Sequence, residues 1–144
     1  LGAPHWRSEA SGLITGLTLD SGRGHLARAA LEAVAYQTAD LIDAMGRRPA
    51  NLCVDGGMVA NGWLCRFLAD MLDLPIVRPP TLEVTARGAA VLAGMAVGLW
   101  DRTIVSPDNP DADHFQSAMT EDERRRLRAG WQEAIARTLL KPNS

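Results

Sequence analysis

A turn that could bind a phosphate lies near the middle of the sequence, where the segment DGGMVAN occupies positions 55–61. The apolar run at 52–54 precedes it, and a helical pattern of apolar residues follows from about Asn61. A glycine turn between a strand and a helix exposes backbone N–H groups at the positive end of the helix dipole, where phosphates and nucleotides bind. The same turn also serves as a plain structural connection. The segment matches neither a P-loop nor a GxGxxG fingerprint, so both interpretations stay open.

Other residues that could take part in binding or catalysis also have simple structural interpretations. Asp55 could contact a nucleotide or Mg²⁺, or it could accept hydrogen bonds that stabilise the turn, and both remain open. Glu32 lies in the middle of a predicted helix, where pairing with a basic residue is expected. The three histidines lack a partner motif, and none is predicted to be a base or a metal ligand. Cys53 and Cys65 form no CxxC pair and are expected to be small buried groups in a reduced, cytosolic protein.

Strands and helices alternate around the turn. The predicted order is a helix over 25–45, a strand over 52–54, a helix over 61–72, a strand over 75–77 and a helix over 85–99. On the first helix, the apolar residues expected on one buried side are Leu26, Ala30, Val34, Leu41, Ile42 and Met45. The apolar stretch 89–100 is too short to cross a membrane and predicts a buried core helix. This alternation predicts an α/β architecture.

The remaining sequence predicts a loop and a terminal helix. Residues 101–119 have a loop composition, with 114–116 as a short edge strand. Thr120 lies three residues before Glu123, a capping-box pattern that predicts a helix over 120–140. Its apolar face is expected to carry Leu127, Trp131 and Ile135.

The charge distribution argues against nucleic-acid binding. Fifteen Lys and Arg residues balance seventeen Asp and Glu residues, for a formal net charge of −2. The one basic cluster, Arg124-Arg125-Arg126 with Arg128, follows acidic residues in the terminal helix, so a solvated helix face is expected. No signal peptide or membrane span is predicted.

Several segments in a fixed order resemble the FGGY carbohydrate kinases. They include GAPHW at 2–6, GLITGL at 12–17, HLARAALE at 25–32, VDGG at 54–57, EVTA at 83–86 and GAA at 88–90. The resemblance covers essentially the entire chain. The AYQT segment at 35–38 and the GAP entry are closer to the family's glycerol kinases than to its xylulokinases. The chain departs from the usual pattern at Arg7 and Ser11, where glycerol kinases have aspartate and arginine.

The resemblance implies an actin-like ATPase fold of the ribonuclease H-like type, incomplete at its N-terminal side. Residues 1–144 would be the C-terminal nucleotide-binding domain of a sugar or polyol kinase. A larger parent is also suggested by a sequence that begins at Leu1 rather than at methionine. A domain cut in this way would expose strand edges and apolar surface, which favours a homo-oligomer.

Specific roles follow from the same resemblance. Gly57 and Asn61 would contact ATP or ADP, with Gly56 shaping the turn. The catalytic base, the glycerol-binding residues and most Mg²⁺ contacts would belong to the N-terminal part, so this chain would hold no catalytic residue and no metal ligand, and would be inactive alone. Two alternatives remain: a parent that phosphorylates xylulose or another sugar, and a free-standing nucleotide-binding or interaction module.

Overall fold

The computed structural model of the protein describes residues 1–81, 83–101 and 111–140. Strands and helices alternate as predicted. The elements are α1 (Arg23–Ala44), β1 (Leu52–Cys53), a 3₁₀ helix (Gly57–Ala60), α2 (Gly62–Leu72), β2 (Ile76–Arg78), α3 (Val84–Ala96), β3 (Asp113–Phe115) and α4 (Glu121–Leu139). Part of the predicted 101–119 loop lies outside the described residues.

The three strands form one mixed sheet in the order β1-β2-β3. β1 runs parallel to β2, with Leu52 opposite Ile76, and β3 runs antiparallel to β2, with Phe115 opposite Ile76. β3 therefore lies at an edge, which confirms the strand predicted near 114–116. The parallel pair places the turn after β1 at the carboxyl end of the sheet.

The core lies where α2 packs against this sheet on one side and against α1 on the other. Its largest fully buried side chains are Leu64, Cys65, Met71 and Ile76. On α1 the buried residues are Ala35, Tyr36, Ala39 and Asp40. The prediction that Leu26, Ala30, Leu41 and Met45 also face the core is wrong, because these side chains are exposed. The contact with α2 buries residues in the middle of α1, and the apolar residues toward its ends extend beyond it.

The terminal helix α4 agrees with the predicted cap and face. The Thr120 hydroxyl accepts a hydrogen bond from the Glu123 N–H at 3.3 Å. Ile135 is buried, and Leu127 and Trp131 pack against the core cluster. The cap sets the start of the helix, and the apolar residues fix the face that it turns inward.

The arginine run on α4 is not uniformly solvated, contrary to the prediction. The Arg124 side chain is 16% exposed and donates to the Asp70 carbonyl and to the Asp73 carboxylate at 2.9 Å. Asp70 in turn accepts from the backbone N–H groups of Ala118 and Met119 at 2.8 and 3.0 Å. The first turn of α4 lies against the end of α2, so its arginine serves as a structural clamp.

The helix α3 also differs from its prediction. It ends at Ala96, because Gly98 adopts a φ of +75° and the Leu99 N–H donates to the Gly94 carbonyl at 2.9 Å, the pattern of a Schellman cap. Leu92 is 69% exposed, and no α3 residue belongs to the core cluster. The expected buried core helix is therefore mostly exposed, although Gly94 is buried beside the Trp100 ring.

The expectation that both cysteines are buried holds for only one of them. Cys65 is buried, but Cys53 is exposed on β1, and both are free thiols. Among residues 1–81, 83–101 and 111–140, no helix is long and apolar enough to cross a membrane.

Candidate functional site

The candidate turn begins where β1 ends. The Val54 N–H donates to the Val77 carbonyl at 2.9 Å, which is the last bond between the two parallel strands. Gly56 then adopts φ 90° and ψ 170°, a conformation that essentially only glycine occupies. This conformation directs the chain away from the sheet and into the 3₁₀ helix Gly57–Ala60. The left-handed position is therefore Gly56, whereas Gly57 has ordinary helical backbone.

Asn61 has a structural role at the start of α2. Its Oδ1 accepts a hydrogen bond from the Trp63 N–H at 3.0 Å and so caps the helix. The side-chain nitrogen still carries two N–H donors. Because Oδ1 is bonded to the helix, the side-chain nitrogen is the part of this amide that has no hydrogen-bond partner among the described residues.

The outer face of the turn is open. A Cβ atom built on Gly56 or on Gly57 would meet nothing within 4 Å. Gly57 is exposed, so a ligand can reach its backbone. The two glycines thus provide different properties, a special conformation at Gly56 and an unobstructed surface at Gly57.

The inner face of the turn is held by an arginine from β2. The Arg78 guanidinium donates to the Val59 carbonyl at 2.7 Å and to the Ala60 carbonyl at 3.2 Å. It also donates to Asp113 on β3, with N–O distances of 2.7 and 3.1 Å, and this bond raises the pKa of Arg78. Arg78 was missed by the sequence analysis, because an arginine at the end of a short strand carries no local motif.

A buried pair completes the support. Val59 is buried, and its carbonyl accepts from the Cys65 thiol at 3.3 Å as well as from Arg78. Burial raises the pKa of the Cys65 thiol, which keeps it protonated as a donor. The 3₁₀ helix is therefore fixed to both α2 and the sheet.

Asp55 does not act as the turn-stabilising acceptor. Its carboxylate is exposed and makes no hydrogen bond or ion pair with the described residues. Within the described part of the chain, no group of three or more His, Cys, Asp or Glu side chains could hold a metal ion. Glu32 pairs with Arg28 at 2.6 Å, as expected of a structural residue.

The turn is an open surface rather than an enclosed pocket. A cavity of about 330 Å³ lies elsewhere, between the end of α1, the end of α2 and α4. A second of about 190 Å³ lies between the 7–13 segment and the end of α4. Three of the four arginines that line the larger cavity, Arg48, Arg124 and Arg128, already bind carbonyl or carboxylate groups, as Arg48 does with the Leu72 carbonyl at 2.7 Å. A ligand on the turn would need a second surface to enclose it.

Comparison with known proteins identifies the family. The profile of the FGGY family of carbohydrate kinases, C-terminal domain, matches residues 1–97. The chain belongs to the FGGY family of carbohydrate kinases. Among relatives of this FGGY chain, the glycerol kinase of Rhodospirillum centenum is 56% identical over 142 residues, and that of Halorhodospira halophila is 48% identical over 143. Each match covers 96% of the chain but only 28% of the relative, so the chain spans about a quarter of their length.

Solved structures agree with this assignment. A Plasmodium falciparum glycerol kinase with ADP matches 97% of the chain and 29% of that protein, with a TM-score of 0.79 and 33% identity. A xylulose kinase from Rhodospirillum rubrum matches 90% of the chain and 28% of that protein, with a TM-score of 0.60 and 26% identity. The predicted fold class, an α/β domain of the actin-like, ribonuclease H-like type, is confirmed.

Proposed function

We propose that this chain is the C-terminal, nucleotide-binding part of a glycerol kinase. The complete enzyme would transfer the γ-phosphoryl group of ATP to a glycerol hydroxyl and give glycerol 3-phosphate. The observation that carries the proposal is the 56% identity to a glycerol kinase across 96% of the chain. The TM-score for a glycerol kinase, 0.79, is also higher than those for two xylulose kinases, 0.67 and 0.60.

Gly57, Asn61 and Gly56 would form the nucleotide contact of this chain. Three features support this assignment: the open backbone at Gly57, the free amide nitrogen of Asn61, and the N-terminus of α2 beside them. Gly57 would let the nucleotide lie against the backbone, Asn61 would donate a hydrogen bond to it, and Gly56 would shape the turn.

The phosphoryl-transfer chemistry would depend on residues outside this chain. Mg²⁺ neutralises charge on the transferring phosphates when it is bound. Because Mg²⁺ sites commonly combine one or two carboxylates with phosphate oxygens and waters, and the described residues offer no group of side chains that could hold the ion, its ligands would come from the nucleotide phosphates and mainly from the N-terminal part. The base for the glycerol hydroxyl would come from the N-terminal part. We therefore expect the 144-residue chain to be inactive alone. We also expect the complete enzyme to work in the cytoplasm, where free cysteines such as Cys53 and Cys65 stay reduced.

Two other functions give different experimental results. A parent that phosphorylates xylulose would show a higher kcat/KM for the pentulose than for glycerol. A free-standing nucleotide-binding or interaction module would bind nucleotide but would never contribute to turnover with any companion domain. Steady-state kinetics on the full-length protein, with glycerol and xylulose compared, decides among these functions. The proposal expects glycerol to be preferred, and a preference for xylulose contradicts it.

The nucleotide contact is tested by titrating ADP into the full-length enzyme and its Asn61→Ala variant. Loss of one hydrogen bond of about 1 kcal/mol should weaken ADP binding roughly fivefold. Asn51→Ala is the matched control, since Asn51 is an exposed asparagine just before β1. Unchanged ADP affinity in a folded Asn61→Ala enzyme, as judged by its thermal melt, would reject the contact.

A further inference from the structure

Arg78 connects the candidate nucleotide turn to the third strand. Its side chain is 19% exposed, and its guanidinium centre lies 5.2 Å from the centre of the Phe115 ring. From this position it reaches the Val59 and Ala60 carbonyls on one side and Asp113 on the other. A planar guanidinium with five N–H donors can make all these bonds at once, whereas an ammonium on a flexible stem cannot reproduce that geometry.

The two carbonyls that Arg78 binds control the orientation of the turn. Because peptide groups are planar, fixing the Val59 carbonyl fixes the whole peptide unit between Val59 and Ala60. Fixing the Ala60 carbonyl likewise fixes the unit that carries the Asn61 N–H. That N–H donates to the Met58 carbonyl at 3.2 Å, so the restraint extends back into the 3₁₀ helix. Arg78 thereby orients the backbone on which the Asn61 side chain is carried.

Asp113 holds the guanidinium in the orientation that this requires. It lies directly opposite Arg78 in the antiparallel register of β2 and β3. Both bonds from Arg78 end on Oδ2 of Asp113 and are charge-assisted. Asp113 lies beyond residues 1–97, which the family profile matches, so a later segment of the chain supports the turn.

We propose that Arg78 is a positioning residue for nucleotide binding, which acts by fixing the Val59 and Ala60 carbonyls and is itself oriented by Asp113. The inference rests on the proposed function, because it assumes that the nucleotide contacts Gly57 and Asn61. Arg78 does not need to touch the nucleotide. Its effect would be on nucleotide affinity rather than on the chemical step.

The test is steady-state kinetics and ADP calorimetry on the full-length enzyme with Arg78→Met, Arg78→Lys and Asp113→Asn. Arg78→Met should raise the ATP KM and the ADP Kd by up to about fivefold, the effect expected of losing the Asn61 hydrogen bond, because the backbone that carries Asn61 is no longer held in place. The kcat at saturating ATP and the glycerol KM should stay within about twofold, because neither depends on a correctly oriented turn once nucleotide is bound. Arg78→Lys should restore part of the affinity, and Asp113→Asn should weaken it by about threefold.

Arg125→Met serves as the matched control. Arg125 is exposed and pairs with Glu121 on α4, so removal of its charge should leave the ATP KM unchanged. If Asn61→Ala weakens ADP binding while the folded Arg78 and Asp113 variants bind normally, the positioning inference is overturned and the nucleotide contact stands. If neither Asn61→Ala nor Arg78→Met changes ADP affinity, both fail. An equal loss of kcat and of affinity for both substrates would indicate general structural damage and would also overturn the inference.

Discussion

The indole Nε1 of Trp131 donates a 2.6 Å hydrogen bond to Oδ2 of Asp40, so the last helix is joined to a carboxylate buried on the first. Asp40 is only 8% exposed. Its other oxygen accepts from Gln132 at 2.8 Å and from Arg128 at 3.3 Å. One side chain of α1 thus collects three donors from α4, and Tyr36 one turn earlier stacks on the Trp131 ring.

Asp40→Ala should lower the free energy of unfolding by about 3 kcal/mol, because it leaves partly buried donors on α4 without their acceptor. Urea denaturation of the chain measures this loss. Asp43→Ala is the control, since Asp43 binds Arg128 from an exposed position and should cost less than about 1 kcal/mol. Equal losses for the two variants would show that burial of Asp40 is unimportant.

Gly56→Ala should lower the stability of the chain, whereas Gly57→Ala should leave its stability nearly unchanged. Gly56→Ala forces a side chain into a conformation with φ 90°, which should cost about 1–3 kcal/mol of stability. Gly57→Ala meets neither strain nor a neighbouring atom within 4 Å, so stability should stay within about 0.5 kcal/mol. If the nucleotide lies against Gly57, that variant should still bind ADP more weakly. Thermal melts and ADP titrations separate the two effects, and a large loss of stability in Gly57→Ala would contradict this account of the turn.

Gly94→Ala should reveal the close approach of Trp100 to α3. A Cβ atom at position 94 would overlap Cε3 of Trp100, so the indole must move. We expect a loss of about 1–3 kcal/mol in unfolding free energy. In a Trp100→Ala background the same change should instead stabilise by about 0.5–1 kcal/mol, because alanine is the better helix former. A double-mutant cycle by denaturation measures this reversal, and additivity of the two changes would contradict the contact.

The single tyrosine should ionise at a higher pH in the folded chain than in the unfolded chain. Burial, followed by the nearby charge of Glu32, raises the pKa of Tyr36 from 10.0 to about 12. As pH rises above 10, the unfolded chain therefore loses this proton while the folded chain keeps it, and stability falls with pH. Tyr36→Phe should make that decline shallower.

Two measurements check the tyrosine prediction. Tyr36 is the one tyrosine in the sequence, so its ionisation can be followed by ultraviolet absorbance in the folded and urea-unfolded chain. Denaturation of wild type and Tyr36→Phe across the alkaline range gives the stability difference. Matching ionisation midpoints in the folded and unfolded chain would contradict the effect of burial.

Local patterns were sufficient to predict much of the fold. The apolar run at 52–54, the glycines after it and the helical spacing from Asn61 define a strand, a turn and a helix without tertiary information. Thr120 likewise marks the start of α4 through its cap. These features depend on backbone preferences within a few residues, and the sequence displays those preferences directly.

The structural features that could not be predicted from the sequence depend on contacts between distant segments. Arg124 appeared to belong to a solvated run, yet the end of α2 supplies its partners more than fifty positions away. Arg78 showed no motif because its role depends on the pairing of β2 with β3. The apolar stretch of α3 was expected in the core, since composition indicates which residues avoid water but not which surface covers them. The resemblance to a family, rather than residue spacing, led to Gly57 and Asn61, and their contact with a nucleotide remains a prediction.

The clamp between Asp70 and Arg124 has a consequence for a chain cut in two. Three side-chain-to-backbone bonds, two to the Asp70 carboxylate from the N–H groups of Ala118 and Met119 and one from Arg124 to the Asp70 carbonyl, join the start of α4 to the end of α2. None of them needs an intact backbone between 101 and 111. Residues 111–140, produced as a separate peptide, should therefore recombine with the remainder in a concentration-dependent way, because the cut converts an intramolecular docking into a bimolecular one. This chain would therefore tolerate reassembly from two pieces cut at this position.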